Sequence, residues 1–172
     1  MADQSSLYPE PSAEAQMNAL CFGLVTTQAI AVAASFGLAD LLATASKTGD
    51  ELAQATRTHA PSLVRLLRFL TSLGIFVEGA DGKYRHTALS ESLRSDAPRT
   101  LRAEAIMMGS DFMWRPWGDL RETIVTGQPA FDRVFGARGW DYLATAPRRR
   151  CDFQCRNDFP VLGAAFRYPG GV

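Results

Sequence analysis

Histidine and cysteine are scarce in this chain of 172 residues: His59 and His86 are the two histidines, and there are three cysteines. Neither His has a neighbouring Ser or Cys with which to form a nucleophile–base pair, so both are expected to be surface polar residues. Cys151 and Cys155 stand with three residues between them, with no second pair and no nearby His, which leaves a zinc site two ligands short. No GxGxxG follows a strand-like run; Gly170 and Gly171 follow nothing that reads as a dinucleotide-binding strand. Net charge is also missing, 18 basic residues balancing 18 acidic ones, so no global field draws the chain to nucleic acid or to an anionic membrane. No catalytic, cofactor-binding or metal-binding residue is expected in this chain. Three cysteines cannot all pair internally, and the opening segment carries Asp3, Glu10 and Glu14 where a secretory leader has bases, so a reducing cytoplasm is expected.

What is present suits a single folded domain. Hydrophobic residues make up 47% of the chain and charged ones 21%, enough to bury a core but over too short a length for two full-sized domains. The zero charge hides an asymmetry. From position 148 onward five arginines face Asp152 and Asp158, a net of +3, which leaves −3 on residues 1–147. Composition therefore breaks near Pro147.

Between Glu14 and Asp40 lie 25 uncharged residues, long enough to cross a bilayer as a helix. Gln16, Asn18, Thr26, Thr27, Gln28 and Ser35 interrupt the run, and no basic cluster or aromatic belt flanks it. The expectation is instead a long helix from about Ser12 to the breaker Gly37, buried on most sides, and no membrane contact. A short helix LADLLAT follows, and then Thr48 caps a third helix with Glu51 as its capping-box partner. In THAPSLVRLLRFLTSLG, Leu63, Leu66, Leu67, Leu70 and Leu73 share one face, with Pro61 in the first turn and Gly74 as the stop. IFVEG and KYRHT then alternate around the turn ADG, the pattern of a β-hairpin. Three helices and a hairpin spell a mainly α winged helix. Beyond it TALSESLR, a helix from Leu101 to Gly109, and a longer one ending at Gly127 around Pro116 are expected, with short helical pieces DRVFG and WDYLATA after them.

A winged helix serves either to read DNA or to hold proteins together. The recognition-helix position offers only Arg65 and Arg68, and the wing only Lys83 and Arg85, a thin supply of cations for a phosphate backbone. A DNA-binding transcription regulator is the alternative reading, with solvated arginines preferred to it. Met107, Met108, Phe112, Met113, Trp114, Trp117 and Phe131 crowd a stretch of 25 positions. They suit a helical core contact, or alternatively the wall of a pocket for a flat apolar ligand, Met107, Met108, Phe112, Trp114, Trp117 and Phe131 being the candidates.

Together FGLADLL (36–42), TGDELAQATRTHAPSLVRLLRFLTSLGIF (48–76), the wing with TALSESLRSD (87–96), WGDLRETIVTGQPAFDRVFG (117–136) and WDYLATAP (140–147) resemble one family. It is the S-adenosylmethionine-dependent O-methyltransferases of the caffeic acid and hydroxyneurosporene methyltransferase type, in their N-terminal part. The resemblance implies a flexible arm (1–11), a winged-helix dimerisation domain (12–96) and linker helices (97–147), with the Rossmann-like domain that holds the cofactor loop and a catalytic histidine absent. It further implies that Met17, Leu20, Leu24 and Ile30 on the first helix face a partner, either a second copy or a full-length methyltransferase. The Met and Trp region would help enclose a small apolar hydroxylated acceptor only together with the missing domain. S-adenosylmethionine is the cofactor of the full-length family; none is expected on this chain, which alone is expected to be inactive.

The resemblance stops at Pro147, where family members continue with a Phe-Asn-x-x-Met pattern and this sequence reads RRRCDFQCRNDF. Residues 152–158 can be encoded GAT TTT CAA TGC CGC AAT GAC. From the second base this reads ATT TTC AAT GCC GCA ATG AC, or Ile-Phe-Asn-Ala-Ala-Met. The expectation is a frameshift after about Pro147, with residues 148–172 an aberrant, disordered tail.

Overall fold

The computed structural model describes residues 11–139 and 141–142. The arm up to Glu10 and the tail 148–172 lie outside them, as does most of WDYLATA.

The uncharged run does not form one helix. It divides into α1 (Ala13–Cys21) and α2 (Gly23–Ser35), bent by 43°. At the break Phe22 has ψ near zero (−4°), and its carbonyl accepts from Val25 at 3.0 Å in a tightened turn and from Thr26 at a longer 3.3 Å. Gly23, a poor helix former, begins the second segment. Ser12 caps α1, its Oγ accepting from the Ala15 amide. No single helix among the described residues is long and apolar enough to cross a membrane, although the bent pair passes on length and composition together. Among the described residues the expected burial on most sides is not met: α1 buries none of its residues, and α2 buries only Ala29, Ala31, Ala33 and Ala34.

Gly37, at φ +63°, turns the chain into α3 (Leu38–Leu41). β1 (Lys47–Thr48) follows, then α4 (Gly49–Thr56) and α5 (Ala60–Ser72), then the wing strands β2 (Phe76–Glu78) and β3 (Lys83–His86). The sheet order is β1-β3-β2, antiparallel, with Lys47 opposite Tyr84 and Val77 opposite Arg85. This is the winged helix, with one element the sequence pattern does not reveal: β1, two residues that pair with the wing and end on Thr48, the cap of α4. Thr48 Oγ1 accepts from the Glu51 amide, and the Glu51 carboxylate accepts from the Thr48 amide at 2.7 Å, completing the expected capping box. Leu63, Leu67 and Leu70 of α5 are buried against Leu38, Leu52, Phe76 and Tyr84. Each such leucine contributes about 1.5–3 kcal/mol of burial.

After the wing come α6 (Ala88–Glu91) and α7 (Arg102–Met108), then α8 (Asp111–Gly118), α9 (Leu120–Thr126) and α10 (Ala130–Phe135). The single helix expected to end at Gly127 is therefore two. Of the two roles expected for Pro116, the start of the helix or a kink within it, the first is not met: Pro116 sits inside α8, and the chain breaks three residues later at Asp119 (φ −99°, ψ 14°). Proline withholds the N–H that would reach the carbonyl four residues back. The carboxylate of Asp119 is claimed instead by Arg133 of α10, at 2.6 Å and 3.1 Å.

Candidate dimerisation surface and linker cluster

Exposed apolar side chains gather on the first two helices and again on α8 and α9, where Trp117, Leu120, Ile124 and Val125 are exposed. Met17, Leu20, Phe22, Leu24 and Val25 all stand in solvent, Leu20 at 76% of its full exposure, and Val32 and Phe36 extend the patch along α2. A patch of this kind marks a contact surface. Of the four residues expected at a partner, Met17, Leu20 and Leu24 lie on it. Ile30 is half-buried and packs against the core of its own chain.

The opposite side of α2 lies against α7. There Gln28 Nε2 donates to the Gly109 carbonyl at 3.1 Å, and Arg102 Nε donates to the Ala34 carbonyl at 3.0 Å. Arg102 Nη1 also reaches Asp40 Oδ2 at 2.6 Å, while Asp40 Oδ1 accepts from the amide and hydroxyl of Ser95. Sequence reasoning missed this node, since Arg102 finds its partners more than 60 positions away.

The Met and aromatic residues do not all converge. Phe112 and Phe131 meet edge to face, with centroids 5.1 Å apart, and Phe135 and Tyr142 join them. Arg115 lies over the Phe135 ring at 5.0 Å, within cation–π range. Met107 is buried, Met108 is exposed, Trp114 is half-buried and Trp117 points largely to solvent.

Both histidines do have a serine partner, contrary to the sequence expectation. His59 Nδ1 lies 2.9 Å from Ser62 Oγ, and His86 Nδ1 lies 3.0 Å from Ser90 Oγ. Neither pair is built for nucleophilic chemistry. Ser90 is wholly buried, and its Oγ is engaged by the Thr87 amide and carbonyl in the α6 capping box, while His59 and Ser62 form an exposed contact in the first turn of α5. The turn into a helix brings each pair together, His59 at the cap of α5 and His86 at the end of β3 just before the α6 cap, which adjacency in the sequence does not show.

On the DNA-reading face, Arg65 and Arg68 are exposed, but Arg85 of the wing is gripped by Asp81 at 2.6 Å. The Arg85 guanidinium holds the Asp81 carboxyl below its usual range. Burial pushes the Tyr84 phenol up, with the Glu78 charge adding to it. No cluster of metal-ligating side chains exists among the described residues. The three described strands are antiparallel, and among the described residues no strand–helix–strand crossover presents a glycine-rich turn.

A bent, exposed apolar helix pair on a winged helix defines a protein-pairing module. Residues 18–96 match the O-methyltransferase dimerisation domain, and this segment of the chain is such a domain. It is 42% identical over 125 residues to the phenazine O-methyltransferase PhzM of Lysobacter antibioticus, covering 73% of this chain and 36% of that protein. The crystal structure of LaPhzM superposes with a TM-score of 0.79 at 37% identity, over 83% of this chain and 43% of that one. The O-methyltransferase NcsB1 of neocarzinostatin biosynthesis, solved with S-adenosylmethionine and 2-hydroxy-5-methyl naphthoic acid, gives a TM-score of 0.65 at 34% identity, over 76% of this chain and 40% of that one. The chain thus spans about two fifths of the length of these relatives. The match lends no support to the DNA-binding alternative.

Proposed function

We propose that this chain pairs, through α1 and the outer face of α2, with a second copy of itself or with a full-length methyltransferase of the same family. One observation carries the reading: among the described residues nothing buries any residue of α1, although Met17 and Leu20 are on it. Met17, Leu20 and Leu24 meet the partner directly, and Ile30 contributes the part its own core leaves open. Burying about 200 Å² of apolar surface stabilises by about 5 kcal/mol before the costs of association, so a few such side chains on each partner weigh heavily.

In the longer protein, the linker helices carrying Met107, Met108, Phe112, Trp114, Trp117 and Phe131 wall the acceptor side, and the reaction moves a methyl group from S-adenosylmethionine to a hydroxyl of a planar aromatic acceptor. The hydroxynaphthoic acid bound to NcsB1 supports that class. The present chain transfers no methyl group and binds no S-adenosylmethionine by itself. It works in the cytoplasm and engages neither nucleic acid nor membrane; the ion-paired wing and the buried alanine face of α2 support the last two points. Titration calorimetry with S-adenosylmethionine tests the division of labour: no heat of binding is expected, and a saturable signal would overturn it. Co-expression with a tagged full-length relative tests mixed pairing, which predicts co-purification that Leu20→Glu abolishes.

A further inference from the structure

Helix α2 is a shared wall whose two sides are held by forces of unequal strength. Its inner side is alanine, small side chains that bury little area and let α7 approach to backbone contact, with Gly109 pressed against Ala31. Its outer side is large and apolar, and open to a partner. Most of what can stabilise α2 by burial therefore lies on the side its own chain leaves bare. In turn α7 is fixed to α2 by close packing and by the Gln28–Gly109 and Arg102–Ala34 hydrogen bonds, rather than by a leucine core of its own. The α4–α5–wing unit is held more strongly, by Leu52, Leu63, Leu67, Leu70, Phe76 and Tyr84, in a core that α2 joins only through Ala29, Ala33 and part of Ile30 and α7 through Ala105.

Arg102 joins the pieces. It spans the last turn of α2 through Ala34, the short α3 through Asp40, and its own position at the head of α7. Asp40 in turn holds Ser95, in the segment that leads into α7. Gly37 leaves the room this needs, since a Cβ there would lie 3.3 Å from Arg102 Nη2. We propose that Arg102 is a positioning residue that couples pairing at the outer face of α2 to the order of α7. When the partner is present, α2 and α7 are held together; when it leaves, both loosen while the winged-helix core stays closed. Binding to the native form alone stabilises the elements it contacts and those tied to them. The inference rests on the pairing reading above.

Amide hydrogen exchange on the whole chain tests it, with the association state of each sample read in parallel by sedimentation. In the Leu20→Glu/Leu24→Glu variant, exchange in 102–108 is expected to speed up by at least tenfold relative to wild type, with exchange in 63–70 unchanged. Arg102→Gln is expected to remain paired and yet show the same acceleration in α7, with Arg102→Lys intermediate, because an ammonium restores the Asp40 contact without the fork that also reaches Ala34. If the chain dissociates and α7 stays as protected as before, or if α5 loosens equally, the coupling is wrong while the pairing reading stands. If wild type sediments as a monomer and also fails to co-purify with a full-length relative, both fall.

Discussion

Gly109, at the C-terminus of α7, lies so close to Ala31 of α2 that a Cβ built on it would overlap the alanine methyl. The Gly109 carbonyl at the same contact accepts from Gln28. Glycine is needed here for proximity alone, since its φ of −88° is open to any residue.

Gly109→Ala is accordingly expected to destabilise the chain by about 1–3 kcal/mol through overpacking. Gly118→Ala is the control: nothing lies within 4 Å of a Cβ there, and the change is expected to be neutral or to stabilise by about 0.5–1 kcal/mol. Urea midpoints of the two variants, moving in opposite directions or differing by at least that margin, check the close approach.

The capping box at Thr48 and Glu51 has a pH signature. The Thr48 amide donates to the Glu51 carboxylate and holds its pKa below the ordinary value. A carboxyl depressed on folding contributes stability that is present in full above its unfolded pKa, about 4.3, and is lost as pH falls through the lower folded value. The difference in urea midpoint between wild type and Glu51→Gln should thus be constant from about pH 7 to 5 and shrink below about pH 4. Thr48→Ala should cost about 1 kcal/mol.

Duplex DNA is expected to show no specific binding. Arg85 is already engaged by Asp81, and two exposed arginines on α5 neutralise too few phosphates. In a fluorescence anisotropy titration, any weak signal at low salt should not depend on duplex sequence. Sequence-selective binding lost in Arg65→Ala or Arg68→Ala would contradict this.

The coding sequence for residues 152–158 provides another test. Its second frame is expected to read Ile-Phe-Asn-Ala-Ala-Met and to continue open into a glycine-rich cofactor loop. A second frame closed by an early stop would remove the frameshift account of residues 148–172.

Local chemistry made much of the fold legible. Thr48 with Glu51, the leucine face of α5 ending at Gly74, and the hairpin around ADG are signals contained within a few residues, and the structure follows them. Features set by distant partners were not legible. β1 is two residues long and exists because Lys47 and Thr48 meet Tyr84 and Lys83. The break at Asp119 is shaped by Arg133, and the attachment of α7 by Arg102 reaching Asp40 and Ala34. The apolar run of the first helices was visible, but not its division at Phe22, nor that α1 would be left uncovered by the other described residues.

The central claim is that α1 and the outer face of α2 are a pairing surface, and sedimentation equilibrium at micromolar concentration tests it most directly. Wild type is predicted to sediment at twice its 18.8 kDa chain mass, and Leu20→Glu/Leu24→Glu at the chain mass with an unchanged circular dichroism spectrum. A wild-type chain that sediments as a monomer throughout that range would contradict the account.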